Sequence, residues 1–320
     1  MNSQLKKQIS IVIPVYNGES TIAALVEQLI ASLADPYMLE IVLVNDDSPD
    51  NSEEVCAAIH QKHPQMVKLY SLAKNVGEHN AVMAGLNQTT GEVVIIMDDD
   101  FQNPVSEVTK LIEYATAHDF DVVYTYYEEK KHSWIRNLGS QFNDKIANVM
   151  LRKPKDLYLS SFKSLNRFIV QEIITYELPY PYIDGLILRT TSKIGKIKVR
   201  HHSREIGKSG YTFTKLVRLW LNMFTNFSIL PLRVSIVMGF LFSLIGLGLG
   251  FVAIVEKFSN PALPIGYASL VVVILIFSGI QLISLGMIGE YLGRIFLSQN
   301  KKPQYTIRRK YESTSEHGTS

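Results

Sequence analysis

Cysteine is nearly missing from this chain. Cys56 is the only one in 320 residues, which excludes an internal disulfide and suits a reducing compartment. Net charge is nearly missing as well: a formal +2 supplies no global basic field, so nucleic acid is not an expected partner. The start of the chain is not expected to be a secretory leader. Lys6 and Lys7 precede the apolar run Ile9–Val15, but that run is short, holds Pro14 and leads into Asn17–Gly18 instead of a small-residue cleavage site. A first strand is expected there. The length leaves room for one large domain or two ordinary ones, and the hydrophobic share of 47% is ordinary in size but unevenly spread.

What the chain does have is an acidic stretch that the rest is organised around. Val93–Met97 is an apolar run after Gly91 and Glu92 and reads as a short buried strand. It runs into Asp98, Asp99 and Asp100, followed by Phe101–Gln102–Asn103, with Pro104 suited to the first turn of a helix. Carboxylates at the end of a buried strand are costly unless something cationic neutralises them. Asp98 and Asp100 are two apart, so an extended chain puts them on one face, and a turn can aim both at one Mg²⁺ or Mn²⁺. Gln102 adds a neutral oxygen on the same alternation. A solvated loop of helix-capping acids would give the same bare Asp-x-Asp; the buried strand and the neighbouring turns favour the ion.

From residue 8 to about 126 short β-rich segments alternate with helical spacing. Strands are expected at Ile9–Val15, Leu39–Val44, Val67–Leu72, Val93–Met97 and Asp121–Thr125, and helices at Thr21–Leu33, Ser52–His63, Glu78–Asn87 and Val105–His118. Asp50 or Asn51 can cap the second helix. This order predicts an α/β fold, a mostly parallel sheet with helices on both faces, whose ligands lie beyond the carboxyl ends of the strands. The polar clusters fall at those ends: Pro14–Asn17, Asn45–Ser48, Lys74–Gly77 and the triple Asp.

Residues 127–210 are less regular and hold two basic groups, one from Lys130 to Lys155 around Trp134 and Arg136, the other from Lys193 to Arg204. His201 and His202 are adjacent and point apart on a strand, which suits solvent or phosphate better than a metal. At 211 the pattern changes. Phe213, Leu216, Val217, Trp220, Met223, Phe224 and Phe227 follow helical spacing opposite Lys215, Arg218, Asn222 and Asn226, as in a helix lying on a membrane surface or packed on a domain. Val234–Val255 carries no charge and is long enough to span a bilayer, as is Ile265–Gly289. The short link Glu256–Pro264 makes them a hairpin. Basic residues flank it at Lys215, Arg218 and Arg233 and at Arg294, Lys301, Lys302, Arg308, Arg309 and Lys310, which places both termini in the cytoplasm. The expected domains are a catalytic domain over 1–210, an amphipathic helix over 211–231, the hairpin over 232–297 and a basic, disordered tail over 298–320.

Ile11–Val12–Ile13–Pro14–Val15–Tyr16–Asn17, Val44–Asn45–Asp46–Asp47–Ser48–Pro49–Asp50, Asn75–Val76–Gly77 and Asp98–Asp99–Asp100–Phe101–Gln102–Asn103–Pro104, in this order, resemble the family 2 glycosyltransferases. Arg204–Glu205–Ile206–Gly207–Lys208–Ser209–Gly210–Tyr211 is similar to the Arg-x-x-Gly-x-Ser-Lys-Tyr segment of the polyprenyl-phosphate branch, and Gly289–Arg294 resembles that branch after its last span. The resemblance covers roughly residues 8–300. It implies a GT-A fold and an inverting transfer of sugar from a nucleotide sugar, a UDP-sugar by preference, to a polyprenyl phosphate at a bacterial inner membrane. Homo-oligomerisation is left open. It further implies that Pro14, Tyr16, Asn17, Glu19, Asp46, Asp47, Lys74, Asn75, Gly77, Asp98 and Asp99 bind the nucleotide sugar, with Asp47 on the base. Asp98, Asp100 and Gln102 would hold Mg²⁺ or Mn²⁺, and Arg136, Arg204, Lys208 and Ser209 would receive the acceptor phosphate; Asp98, Asp100, Arg136 and Arg204 carry the catalysis.

The chain departs from the pattern twice. Gly210 replaces the Lys of the Gly-x-Ser-Lys-Tyr segment, with Lys208 as its substitute, and Ser161 stands where some relatives carry an acid considered a base. A base is dispensable, because a phosphomonoester with a second pKa near 6 is already largely dianionic at neutral pH. Two other functions compete. A processive polysaccharide synthase would share the sheet, but its Gln-x-x-Arg-Trp motif is missing, since neither Trp134 nor Trp220 follows an Arg. A catalytically dead sugar-nucleotide sensor is disfavoured by the intact Asp98, Asp100 and Gln102.

Overall fold

A computed structural model describes residues 6–127, 154, 157–179, 181–200, 230–259, 266–300 and 303–313. The chain forms two compact units, Met1–Gly210 with Lys302–Ser320, and Tyr211–Lys301. In the first, strands and helices alternate as β1 (Gln8–Val15), α1 (Ile22–Leu33), β2 (Met38–Asn45), α2 (Ser52–Lys62), β3 (Val67–Leu72), α3 (Glu78–Leu86), β4 (Val93–Ile96), α4 (Val105–Ala117) and β5 (Val122–Tyr126). β6 (Lys163–Asn166), α5 (Arg167–Ile174), α6 (Ile183–Thr190), β7 (Ile194–Lys198) and β8 (Ile307–Tyr311) complete it. The alternation read from the sequence is therefore present, with ends shifted by a residue. Pro104 sits just before α4 with ψ 147°, one place earlier than the first-turn position expected.

Among the described residues one sheet of eight strands runs β7-β5-β6-β4-β1-β2-β3-β8. β1, β2, β3 and β4 are mutually parallel where they pair, β6 runs antiparallel between β4 and β5, and β8 is antiparallel to β3. Because β1 lies between β2 and β4, the chain reverses its direction of travel across the sheet at β1. Open α/β sheets bind ligands in the crevice beyond the carboxyl ends at such a point.

Side chains alternate across the strands. Ile9, Ile11, Ile13 and Val15 of β1 join Leu25 and Leu29 of α1, Cys56 and Ile59 of α2 and Val108 and Leu111 of α4 in one buried core. Val12 faces the opposite side, where α3 packs. A Cβ on Gly85 of α3 would come 2.4 Å from Val12 Cγ1, so glycine is what lets this helix approach the sheet. Helices on both faces follow.

At the amino ends of the strands a buried carboxylate ties three of these segments together. Glu40 accepts from Ser10 Oγ, from the Thr90 N–H at 2.8 Å and from Lys68 Nζ at 2.7 Å. Burial raises its pKa, but Lys68, Ser10 and Thr90 together outweigh burial and hold it below the usual carboxylate value. A depressed folded pKa means that this stabilisation is present above the unfolded pKa and is lost as pH falls through the folded one. Glu40→Gln is therefore expected to lower the melting temperature at pH 7 and to flatten its decline below about pH 4.5. Melting curves from pH 7 to 3 check this; parallel declines for parent and variant would contradict it.

The tail requires a correction. Residues 298–320 were expected to be disordered, yet the second membrane-type helix continues to Gln299 and Ile307–Tyr311 forms an edge strand on β3. Ala73 N donates to Thr306 O at 2.8 Å, Arg308 Nη2 to Ala73 O at 2.9 Å, and Tyr70 OH donates to Glu312. An edge strand uses its backbone to pair and tolerates cationic side chains, so the basic composition that reads as a solvated tail is compatible with a strand.

In the second unit α7 (Leu230–Ser259) and α8 (Tyr267–Gln299) are 30 and 33 residues long. Ser235–Val252 and Ile276–Gly293 are long and apolar enough to cross a membrane. Ser235 Oγ meets Met287 Sδ at 3.7 Å and Phe242 packs edge-on to Phe277 with centroids 6.4 Å apart, so the two helices run antiparallel. Away from this seam Ile236, Phe251, Leu282 and Ile283 are each about two-thirds exposed, a surface suited to hydrocarbon. The pair is a candidate transmembrane hairpin. The amphipathic helix expected over 211–231 lies, but for its last two residues, outside the described residues.

Candidate active site

Four consecutive parallel strands end in loops on one edge of the sheet, and each loop holds one residue in the left-handed region. These are Asn17 (φ 58°) after β1, Asp47 (φ 52°) after β2, Gly77 (φ 89°) after β3 and Phe101 (φ 58°) after β4. Among the described residues no other position has positive φ. Such backbone costs of order 1 kcal/mol or more at a non-glycine residue and clusters at ligand sites.

Polar side chains stitch the loops together. Asn17 N donates to Ser48 Oγ at 3.1 Å and Gly18 N to Ser52 Oγ at 2.9 Å, joining the first loop to the second. Glu19 bonds to the second loop twice, its N donating to Asp50 Oδ2 and its Oε2 accepting from Asn51 N. Asp50 Oδ1 also accepts from Ser52 N, so the side-chain contact at the start of α2 comes from Asp50, while Asn51 occupies the N-cap position without one. Asp46 is buried and spans to the third loop: its two oxygens accept from Val76 N at 2.8 Å and Gly77 N at 2.9 Å, and Asn75 Nδ2 donates to its carbonyl. Desolvation raises its pKa, against the pull of those two N–H groups. Asp46 and Glu19, both expected to touch the nucleotide sugar, are thus engaged in shaping the loops. Tyr16, Asn17, Asp47, Lys74 and Asn75 are exposed at the rim, and Pro14 is half-buried.

The triple Asp meets this edge from β4. Asp99 turns inward: among the described residues its Oδ2 is buried with no hydrogen-bond partner, and a Cβ on Gly18 would lie 2.3 Å from it. Burial first, then Asp98 and Asp100, push its pKa up to about 7. Asp100 Oδ1 accepts from Gln102 N at 3.2 Å, and Asp98 Oδ2 accepts from Ser161 Oγ at 2.7 Å. Among the described residues no three His, Cys, Asp or Glu side chains converge as an all-protein cage. Asp98 and Asp100 offer two carboxylates, the donor type that Mg²⁺ or Mn²⁺ accepts alongside phosphate oxygens and water.

Beside these acids lies a cluster with no local signature in the sequence. Lys163 of β6 and Asp184 of α6 form an ion pair, with side chains 4% and 10% exposed, and Tyr124 OH donates to the same Asp184 oxygen at 2.8 Å. His79 stacks edge-on to Tyr182, with centroids 5.2 Å apart, and burial drops its pKa to about 4. Its neighbour Glu78 opens α3 with its side chain exposed; partial desolvation and the Asp98 charge raise its pKa above the usual carboxylate value. Arg136, Arg204, Lys208 and Ser209 lie outside the described residues.

The family model for glycosyl transferase family 2 matches residues 10–174, and that for the GtrB C-terminal hairpin matches residues 230–295. An undecaprenyl-phosphate 4-deoxy-4-formamido-L-arabinose transferase of Serratia proteamaculans is 31% identical over 98% of this chain and 97% of its own length. The protein of that name in Pectobacterium carotovorum subsp. carotovorum is 33% identical over 95% and 93%. Among solved structures, glucosyl-3-phosphoglycerate synthase of Mycobacterium tuberculosis in complex with UDP superposes with a TM-score of 0.50 at 17% identity, covering 68% of this chain and 79% of that one. The same enzyme with Mn²⁺ and UDP-glucose gives 0.50, covering 68% and 75%. At that identity the likeness concerns the fold alone, a GT-A-like sheet that here precedes an apolar hairpin. The chain belongs to glycosyl transferase family 2 and is a glycosyltransferase.

Proposed function

We propose that this enzyme moves a sugar from a nucleotide sugar, a UDP-sugar by preference, to a polyprenyl phosphate such as undecaprenyl phosphate. The observation that carries this reading is the end-to-end likeness, hairpin included, to proteins named as undecaprenyl-phosphate sugar transferases. The site geometry supports it. The loop Lys74–Gly77, pinned by Asp46, and the rim residues Tyr16 and Asp47 take the nucleotide. Asp98, Asp100 and Gln102 would hold Mg²⁺ or Mn²⁺, and such an ion would supply charge stabilisation to the departing diphosphate. The acceptor phosphate oxygen forms a bond to the anomeric carbon as the bond to the nucleotide diphosphate breaks, inverting that centre. No side chain has to remove a proton, because the acceptor is largely dianionic at neutral pH. The hairpin anchors the enzyme in a bacterial inner membrane with both termini in the cytoplasm, following the basic flanks of its spans.

Arg136 and Arg204 receive the lipid phosphate in this proposal, since guanidinium grips phosphate oxygens with a fork of donors. Arg204→Ala is expected to raise the requirement for polyprenyl phosphate about 10- to 100-fold, with much less effect on that for nucleotide sugar. Arg204→Lys recovers part of the loss. Kinetics against both substrates check this, and an unchanged lipid dependence would remove Arg204 from the acceptor site. The function itself is tested by nucleotide release from a panel of nucleotide sugars with and without undecaprenyl phosphate. Release that requires the lipid is the expected result; release of nothing under any condition would favour a sensor.

A further inference from the structure

We infer that Ser161 is a positioning residue that orients the Asp98 carboxylate for its ion; this rests on the reading of Asp98 and Asp100 as metal ligands. The sheet register leads to it. β4 and β6 pair antiparallel with Ile95 opposite Ser164 and Ile96 opposite Lys163. Two further steps along the same register set Asp98 opposite Ser161, and the contact between them is the 2.7 Å bond from Ser161 Oγ to Asp98 Oδ2.

The backbone that presents this hydroxyl is fixed on both sides. Phe162 is fully buried, Lys163 is tied to Asp184, and buried Ser160 accepts from Thr125 Oγ1 and from Phe162 N. A side chain held this firmly sets the rotation of the acid it touches. One oxygen of Asp98 accepts from the serine, which restricts the rotation of the carboxylate. A carboxyl group at position 161, in the same place, would put a like charge against Asp98. The serine donates instead, and this chain uses the position to orient an acid that it holds ready. Hydrogen-bond partners that orient a metal ligand typically contribute about 10- to 100-fold to metal affinity.

The test is Mn²⁺ binding by the full chain in detergent, read by electron paramagnetic resonance with and without UDP. Ser161→Thr and Ser161→Val are a shape-matched pair that differ in the hydroxyl, and Ser161→Ala is measured beside them in case the branched side chain does not fit. Ser161→Thr should bind Mn²⁺ within about threefold of the parent, whereas Ser161→Val and Ser161→Ala should bind about 10- to 100-fold more weakly. Turnover of the weak binders should recover at saturating Mn²⁺. If Ser161→Val and Ser161→Ala bind Mn²⁺ as the parent does while turnover falls, the inference is overturned and the hydroxyl acts on substrate. If the parent gathers no Mn²⁺ even with UDP present, the assignment of Asp98 and Asp100 as ligands fails and takes the role of Ser161 with it.

Discussion

Asp100→Asn should reduce turnover by about 10²- to 10³-fold while leaving the melting temperature nearly unchanged. The ion is expected to supply several kcal/mol of stabilisation to the charge that develops on the leaving diphosphate, and each 1.4 kcal/mol is about tenfold in rate. Asparagine keeps the size of the side chain and can keep the contact from Gln102 N to Oδ1, so the loop has little reason to move. It removes the negative charge that a hard cation requires. The neighbouring acids are held in a costly arrangement, with Asp99 pushed up to about 7 by burial and by Asp98 and Asp100, and relieving one charge should not destabilise the protein. Steady-state rates across a Mn²⁺ titration, with melting curves alongside, check this. Near-parental activity for Asp100→Asn, or full activity of the parent in excess chelator, would contradict it.

Asp184→Leu should destabilise the protein by about 3–5 kcal/mol, because it leaves the Lys163 ammonium buried without its counter-charge. Lys163 is 4% exposed and lies 5.0 Å above the Tyr124 ring, so water cannot readily take over the role of the acid. The double change Lys163→Met with Asp184→Leu should recover much of this loss, since replacing both partners removes the stranded charge. Function should follow stability. The pair joins α6 to β6, and β6 is continuous with the segment that presents Ser161 to Asp98. Denaturant or thermal unfolding of the full-length single and double variants in detergent provides the measurement. A single variant within about 1 kcal/mol of the parent would show that the pair is not a structural tie.

The parallel half of the sheet was legible because its segments obey local rules. Ile9, Ile11, Ile13 and Val15 sit between polar punctuation and alternate with helical runs, and each strand from β1 to β4 ends in residues that prefer tight turns. The acidic loop was legible for the same reason, as three carboxylates directly after a buried run demand an explanation. β6 was not. Lys163 reads as a surface residue, and its place in the sheet interior depends on Asp184, which lies 21 residues away. β8 was misread because Ile307–Tyr311 is rich in cations, and only pairing with β3 gives that composition a structural role. Asp46 and Glu19 have carboxylate oxygens that accept from loop backbones, a direction that spacing cannot supply. Ser161 is visible in the sequence as a departure from the resembling family, but its contact with Asp98 depends on the register of β4 against β6.

In the proposed reaction the sugar ends on a lipid phosphate. The most direct measurement reconstitutes the full chain in liposomes with undecaprenyl phosphate, Mn²⁺ and a panel of UDP-sugars, then extracts the lipid and weighs it by mass spectrometry. The expected result is a lipid heavier by a single sugar residue, one nucleotide released per lipid modified, and neither product when the lipid phosphate is left out. A polymer of several sugars, or a sugar transferred to a water-soluble acceptor with the lipid untouched, would contradict it.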